Sequence, residues 1–148
     1  KYNNIITIDG DGQNNPADIK NLIDSYESNK NLSLVAGIRK ARKDKFSKRI
    51  ASIIANKVRM LYLGDKCIDT GCSLKIFKKD IFFKFEFFDG IHRFIPSMFE
   101  GIGCAVLYKY VSHRERKYGN SNYDNFKRMY RGIVDMIYVK KQINKLKL

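Results

Sequence analysis

Cysteine is scarce in this 148-residue chain, with only Cys67, Cys72 and Cys104. An odd number of cysteines with no C-x-x-C pair argues against a disulfide framework and against a zinc site. The bland reading is buried or free thiols in a reducing compartment. Long apolar runs are also missing. None approaches the roughly 18 to 20 residues needed to cross a bilayer, so the chain carries no transmembrane helix pattern. The opening Lys1-Tyr2-Asn3-Asn4 lacks the basic-then-apolar pattern of a signal peptide, and there is no initiator Met. There is no internal repeat and no low-complexity tract. What the chain does have is an apolar content of 44%, rich in Phe and Tyr. That excludes disorder and supplies the core of one domain.

Acidic charge is short as well. The 15 Asp and Glu face 29 Lys and Arg, for a net charge of +14. Such a balance calls for an anionic partner: nucleic acid, phosphorylated metabolites or acidic lipid headgroups. The charge is uneven. Residues 1–30 are mildly acidic, through Asp9, Asp11, Asp18, Asp24 and Glu27. Basic residues gather at 39–49, from Arg114 to Arg131, and from Lys140 to Lys147. An acidic loop with separate basic stretches suits a metal with phosphates better than a uniform polyanion.

The hydrophobic pattern alternates between strand and helix. Ile5-Ile6-Thr7-Ile8 reads as a buried strand and runs into the loop chemistry of Asp9-Gly10-Asp11-Gly12. Pro16, followed by Ile19, Leu22, Ile23 and Tyr26, predicts a helix with one apolar face. Strands are predicted at Leu32–Ile38, Ser73–Phe77 and Ala105–Val111, and helices at Phe46–Leu63, Ile91–Phe99 and Tyr123 to about Lys145. Asp80–Phe88 is ambiguous. The alternation predicts an α/β fold.

Four motifs carry chemistry. In Asp9-Gly10-Asp11-Gly12-Gln13, two carboxylates can converge on a hard cation, and the glycines let the backbone approach a diphosphate. Gln13 offers a neutral oxygen. An EF-hand is excluded, because the twelfth loop position is Lys20 rather than Glu. Arg39 leaves the second strand with Arg42 close behind, suited to bidentate phosphate contact or simply to solvent. Asp69-Thr70-Gly71-Cys72-Ser73 is a small-residue turn whose Asp can bond sugar hydroxyls or cap the turn. His113 to Ser121 is a basic loop with Gly and Ser, able to close over phosphates and equally the composition of a solvated loop.

In this order, the motifs resemble those of the family 2 glycosyltransferases with the GT-A fold, and especially the polyprenol (dolichol) phosphate mannosyltransferase-like branch. The resemblance covers about residues 4 to 139. It rests on Ile6 to Pro16, on Val35 to Arg42, and on Asp69-Thr70-Gly71-Cys72-Ser73-Leu74-Lys75. Asp89 to Pro96, and His113 to Arg116 with Gly119-Asn120-Ser121, complete it. It implies the C-terminal portion of a Rossmann-like GT-A domain over residues 1–122, with a mixed sheet flanked by helices. A basic amphipathic helix over 123–148 would pack on the domain or on a membrane interface.

The resemblance also implies roles. Asp9 and Asp11 match the D-x-D pair, and with Gln13 would hold Mg²⁺ or Mn²⁺. Asp11, Asp69 and Arg116 are the expected catalytic positions. Asp9, Arg39, Arg49, Ser52, Arg114, Gly119 and Ser121 are expected to meet donor or acceptor phosphates. His92 and Arg93 fit either a site role or helix packing. The implied partners are a nucleotide sugar (GDP- or UDP-linked), a polyprenyl phosphate and an anionic membrane surface. The implied setting is the cytoplasmic face of the membrane, in cell-envelope glycan synthesis. An acceptor phosphate is already anionic, so inverting transfer needs no strong general base. The absence of Q-x-x-R-W fits the processive polysaccharide synthases less well. The resemblance further implies a nucleotide-binding half before the D-x-D strand, of which little precedes Asp9. The chain therefore reads as part of a transferase domain, and the isolated 148 residues are expected to be inactive.

Two other readings compete. The net charge and interleaved Tyr and Phe fit a nucleic-acid-binding module, although that gives the acidic loop no role and no RNP, KH or zinc-finger pattern is present. A membrane-associated remnant of a transferase that has lost donor binding is the third.

Overall fold

The computed structural model describes residues 2–40, 46–112, 114 and 125–147, and for 46–52 and 125–128 the backbone alone. Four strands, β1 (Asn4–Thr7), β2 (Leu32–Arg39), β3 (Lys75–Lys78) and β4 (Ala105–Val111), form one sheet in the order β1-β3-β2-β4. β3 runs antiparallel to both β1 and β2, while β2 and β4 are parallel. The α/β expectation holds, with a mixed sheet. Three parallel strands thus end on one edge of the sheet, and β3 begins there. In open α/β sheets that edge is where ligands bind, because the loops leaving the strands converge on it.

Helices cover both faces. α1 (Pro16–Glu27) starts where Asn15 Oδ1 accepts the Ala17 N–H at 3.2 Å, with Pro16 in the first turn. Its Leu22 and Tyr26 pack with Val35, Leu74, Ile76 and Val111 on one face of the sheet. On the other face, Leu34, Ala36 and Phe77 meet Phe94, Met98 and Phe99, joined by Val139 and Ile143. Leu34 and Val35 belong to opposite clusters because successive strand side chains point to opposite faces. A strand covered on both faces reads as a continuous apolar run, as Leu32 to Ile38 does.

α2 (Phe46–Leu63) and α5 (Asn125–Lys147) are the two long helices. The later half of α5 enters the core through Val139 and Ile143. Several apolar side chains of its earlier half, and of α2, remain exposed, including Ile54, Val58, Leu61, Tyr130 and Ile133.

The structure corrects two boundaries. The ambiguous segment holds only the short helix α3 (Lys79–Phe82). The single helix expected over Ile91–Phe99 is instead a 3-10 turn, Ile91–Arg93, followed by α4 (Ile95–Gly101). Pro96 explains the break. It has no N–H to continue a helix from His92, but it fits the first turn of a new one.

Candidate active site

The acidic loop leaves β1 at the ligand-facing edge of the sheet. Asp11 Oδ1 accepts the Gln13 N–H at 3.1 Å, a local turn that the short Asp side chain favours. Gly12 sits at φ 74°, a left-handed conformation that glycine adopts without strain. The loop is tied to the Asp69–Ser73 turn through Ser73. The Ser73 hydroxyl accepts the Asp9 N–H at 3.1 Å and the Asn14 Nδ2–H at 2.9 Å. The Ser73 carbonyl accepts the Thr7 hydroxyl at 2.6 Å. Ser73 therefore fixes the D-x-D loop from below. As a small hydroxyl in a turn, it gave no sequence signal for that role.

Arg39 and Asp69, 30 residues apart in sequence, meet here. Asp69 Oδ2 accepts the Arg39 backbone N–H at 3.1 Å and its Nε–H at 2.8 Å, and Oδ1 accepts an Nη2–H at 2.7 Å. The two side chains are 15% and 6% exposed. This bidentate pair orients the guanidinium at the cleft wall. Gly71 makes room for it, since a Cβ at that position would stand 2.7 Å from Arg39 Nη2. The expected sugar-turn Asp and phosphate Arg thus form one unit.

The resulting polar cleft is lined by Asp9, Gln13, Asn14, Arg39, Gly71 and Ser73. The start of the basic segment closes one side. The Arg114 N–H donates to the Gln13 carbonyl at 3.0 Å, and its guanidinium donates to Asn15 Oδ1 at 3.1 Å. Just before it, the Ser112 N–H and hydroxyl both donate to Asp18 Oδ2, at 2.8 and 2.5 Å. Acidic and basic motifs about 100 residues apart are therefore adjacent, at |i−j| = 101 for Gln13 and Arg114.

The other expected site residues divide. Arg49 and Ser52 lie on α2, whose backbone alone is described there. Arg116, Gly119 and Ser121 lie outside the described residues. Arg93 is a packing residue: it pairs with Asp135 of α5 at 2.6 Å. His92 stays in the electrostatic neighbourhood of Asp9. Desolvation, with Arg93 and Lys75 nearby, holds its imidazole below the ordinary range. Cys67 and Cys72 are free and buried, and burial pushes both thiols up.

Among the described residues, no three His, Cys, Asp or Glu side chains converge as a metal cluster. Two loop carboxylates and a Gln amide are hard oxygen donors. Donors of that kind are the ones a hard, hexacoordinate cation takes.

No protein-family model matches the chain. Over 138 residues, 91% of its length, it is 37% identical to the dodecaprenyl-phosphate galacturonate synthase of Rhizobium johnstonii.

The chain is a homologue of polyprenyl-phosphate sugar transferases.

Two further relatives are undecaprenyl-phosphate 4-deoxy-4-formamido-L-arabinose transferases. That of Edwardsiella ictaluri is 28% identical over 119 residues, 80% of the chain. That of Klebsiella pneumoniae is 27% identical over 133 residues, 90% of the chain. The chain spans 40%, 36% and 40% of the lengths of these three relatives, respectively.

Proposed function

We propose that this chain is part of a sugar transferase that moves a glycosyl group from a nucleotide-sugar donor to a polyprenyl phosphate. The carrying observation is the cleft itself. It sets Asp9 and Gln13 of the acidic loop and the clamped Arg39 around one polar space at the carboxyl ends of the strands, with Arg114 docked on the Gln13 carbonyl beside it. The relatives' names place polyprenyl phosphates in their own reactions.

In this reading the acceptor phosphate oxygen attacks the anomeric carbon and forms the new C–O bond. The bond to the nucleoside diphosphate breaks and its electrons leave with the diphosphate, so configuration inverts. The acceptor is already an anion, and no side chain needs to remove a proton. Negative charge grows on the leaving diphosphate, where Arg39 and Arg114 supply positive charge. Asp9, Asp11 and Gln13 would hold Mg²⁺ or Mn²⁺, which neutralises that charge when bound.

The test uses the full-length protein containing this chain, with GDP- or UDP-sugars and polyprenyl phosphate. Lipid-linked sugar of inverted anomeric configuration is the expected product, lost with EDTA and restored by Mn²⁺. Retained configuration, or turnover indifferent to EDTA, defeats the corresponding part of the reading.

A lipid acceptor must be met at a bilayer. Among the described residues no helix is long and apolar enough to cross one. The exposed Ile54, Val58, Leu61, Tyr130 and Ile133 of α2 and α5, on a chain of net charge +14, suit an anionic surface. The chain is expected to sediment with anionic liposomes at low salt and to release as salt rises. Equal partitioning into neutral and anionic vesicles would count against membrane docking.

A further inference from the structure

Lys75 places an ammonium where the fold has least use for one. It opens β3, an interior strand of the sheet, paired with Thr7 on one side and Ala36 on the other. Its relative exposure is 1%, and Leu74, Ile76 and Phe77 around it are buried apolar residues. Its Nζ donates to the Cys72 carbonyl, and among the described residues that is its one side-chain hydrogen bond. A lysine ammonium carries three donors and loses hydration on burial, so this is a costly residue to keep for packing alone.

Its position explains more than its packing does. Cys72 lies in the turn that carries both Asp69 and Ser73. Asp69 clamps Arg39, and Ser73 holds the Asp9 N–H and the Asn14 amide. The nearby carboxylates acting on Lys75 are Asp69 and Asp9, one from each loop of the cleft. Burial holds its ammonium below the ordinary lysine range, with Cys72 and Cys67 and then these carboxylates pulling the other way.

We infer that Lys75 is a positioning residue of the transfer site: its buried side chain fastens the Asp69–Ser73 turn through the Cys72 carbonyl and sets a positive charge behind the cleft. This role rests on the transferase reading for its substrate, an anionic nucleotide sugar, but not for its structural effect. An apolar side chain of the same length would fill the space without the desolvation cost. It would leave the turn unfastened and the cleft more negative, which weakens the binding of a diphosphate.

The experiment compares wild type, Lys75→Met and Lys75→Gln in the full-length protein. Three readouts are taken: thermal melting, amide hydrogen exchange at Asp9 and Ser73, and steady-state transfer. Lys75→Met is expected to melt at or above the wild-type temperature. Its Asp9 and Ser73 amides should exchange about tenfold faster, and KM for the nucleotide sugar should rise about tenfold with a smaller change in kcat. Lys75→Gln, which can still donate to the Cys72 carbonyl, should recover most of the exchange protection but not KM.

Wild-type exchange together with KM within twofold in Lys75→Met overturns the inference. If that variant fails to fold, Lys75→Gln decides: wild-type KM in it overturns the inference, and a raised KM at wild-type melting supports it. Faster exchange in Lys75→Met beside a wild-type protein that transfers no sugar overturns the transferase reading and leaves the fastening role standing.

Discussion

Asp9→Asn/Asp11→Asn in the full-length protein is expected to lower kcat/KM for sugar transfer by about a thousandfold, while melting changes little. A metal at a developing charge contributes several kcal/mol, and each 1.4 kcal/mol is a factor of about ten. Removing both carboxylates removes the hard anionic ligands of the loop. Asp9 is exposed, and the Asp11 carboxylate accepts the Gln13 N–H, which an Asn side-chain oxygen accepts as well. Steady-state kinetics at saturating Mn²⁺, with melting curves alongside, make the comparison. Transfer within tenfold of wild type would remove the D-x-D loop from the chemistry. A similar loss of activity with a large fall in melting temperature would mean that the loop holds the fold instead.

The second large effect belongs to Asp69. Its carboxylate accepts three N–H groups of Arg39, and its side chain is 6% exposed. Asp69→Asn turns one acceptor oxygen into an amide NH2 that faces the guanidinium, so Arg39 loses the carboxylate that clamps it. Breaking such a pair costs about 3 kcal/mol, on the order of 10 °C in melting temperature for a chain of this size. Arg39 also loses its bidentate anchor, so transfer should fall with stability. Arg39→Met/Asp69→Asn should regain much of the stability and none of the activity. A buried pair removed whole costs less than one broken in half. Urea unfolding of the two single variants and the double variant closes the cycle. Wild-type stability in Asp69→Asn would show that the pair contributes only orientation.

Local order was the more legible part. The strand at Ile5, the start of α1 at Pro16 and the full span of α2 follow from periodicity and capping, which depend on residues three or four apart. The motif order pointed to polyprenyl-phosphate sugar transferases before any geometry, and D-x-D after an apolar strand specified a loop at a strand's carboxyl end. Where local signals compete, legibility falls. Pro96 sat inside a helical pattern but divides it, because its ring excludes the turn before it as well as its own N–H bond.

The cysteines and the short acidic complement that marked the chain at the outset have acquired places in the structure. Cys67 and Cys72 are buried thiols, with Cys72 in the turn that frames the cleft. Four of the 15 carboxylates frame the cleft region: Asp9 and Asp11 in the loop, Asp18 on Ser112, and Asp69 on Arg39. The sequence by itself determined the α/β class, the strand-borne acidic loop and the likeness to polyprenyl-phosphate sugar transferases, since each rests on short-range pattern or on residue order. Only the tertiary structure decided that β3 inserts antiparallel between β1 and β2, that Asp69 clamps Arg39, that Ser73 carries the D-x-D loop, and that Lys75 is buried behind it. Each of those is a contact between distant segments, set by which strands pair and in which register, and strand pairing leaves no periodic trace in either partner alone.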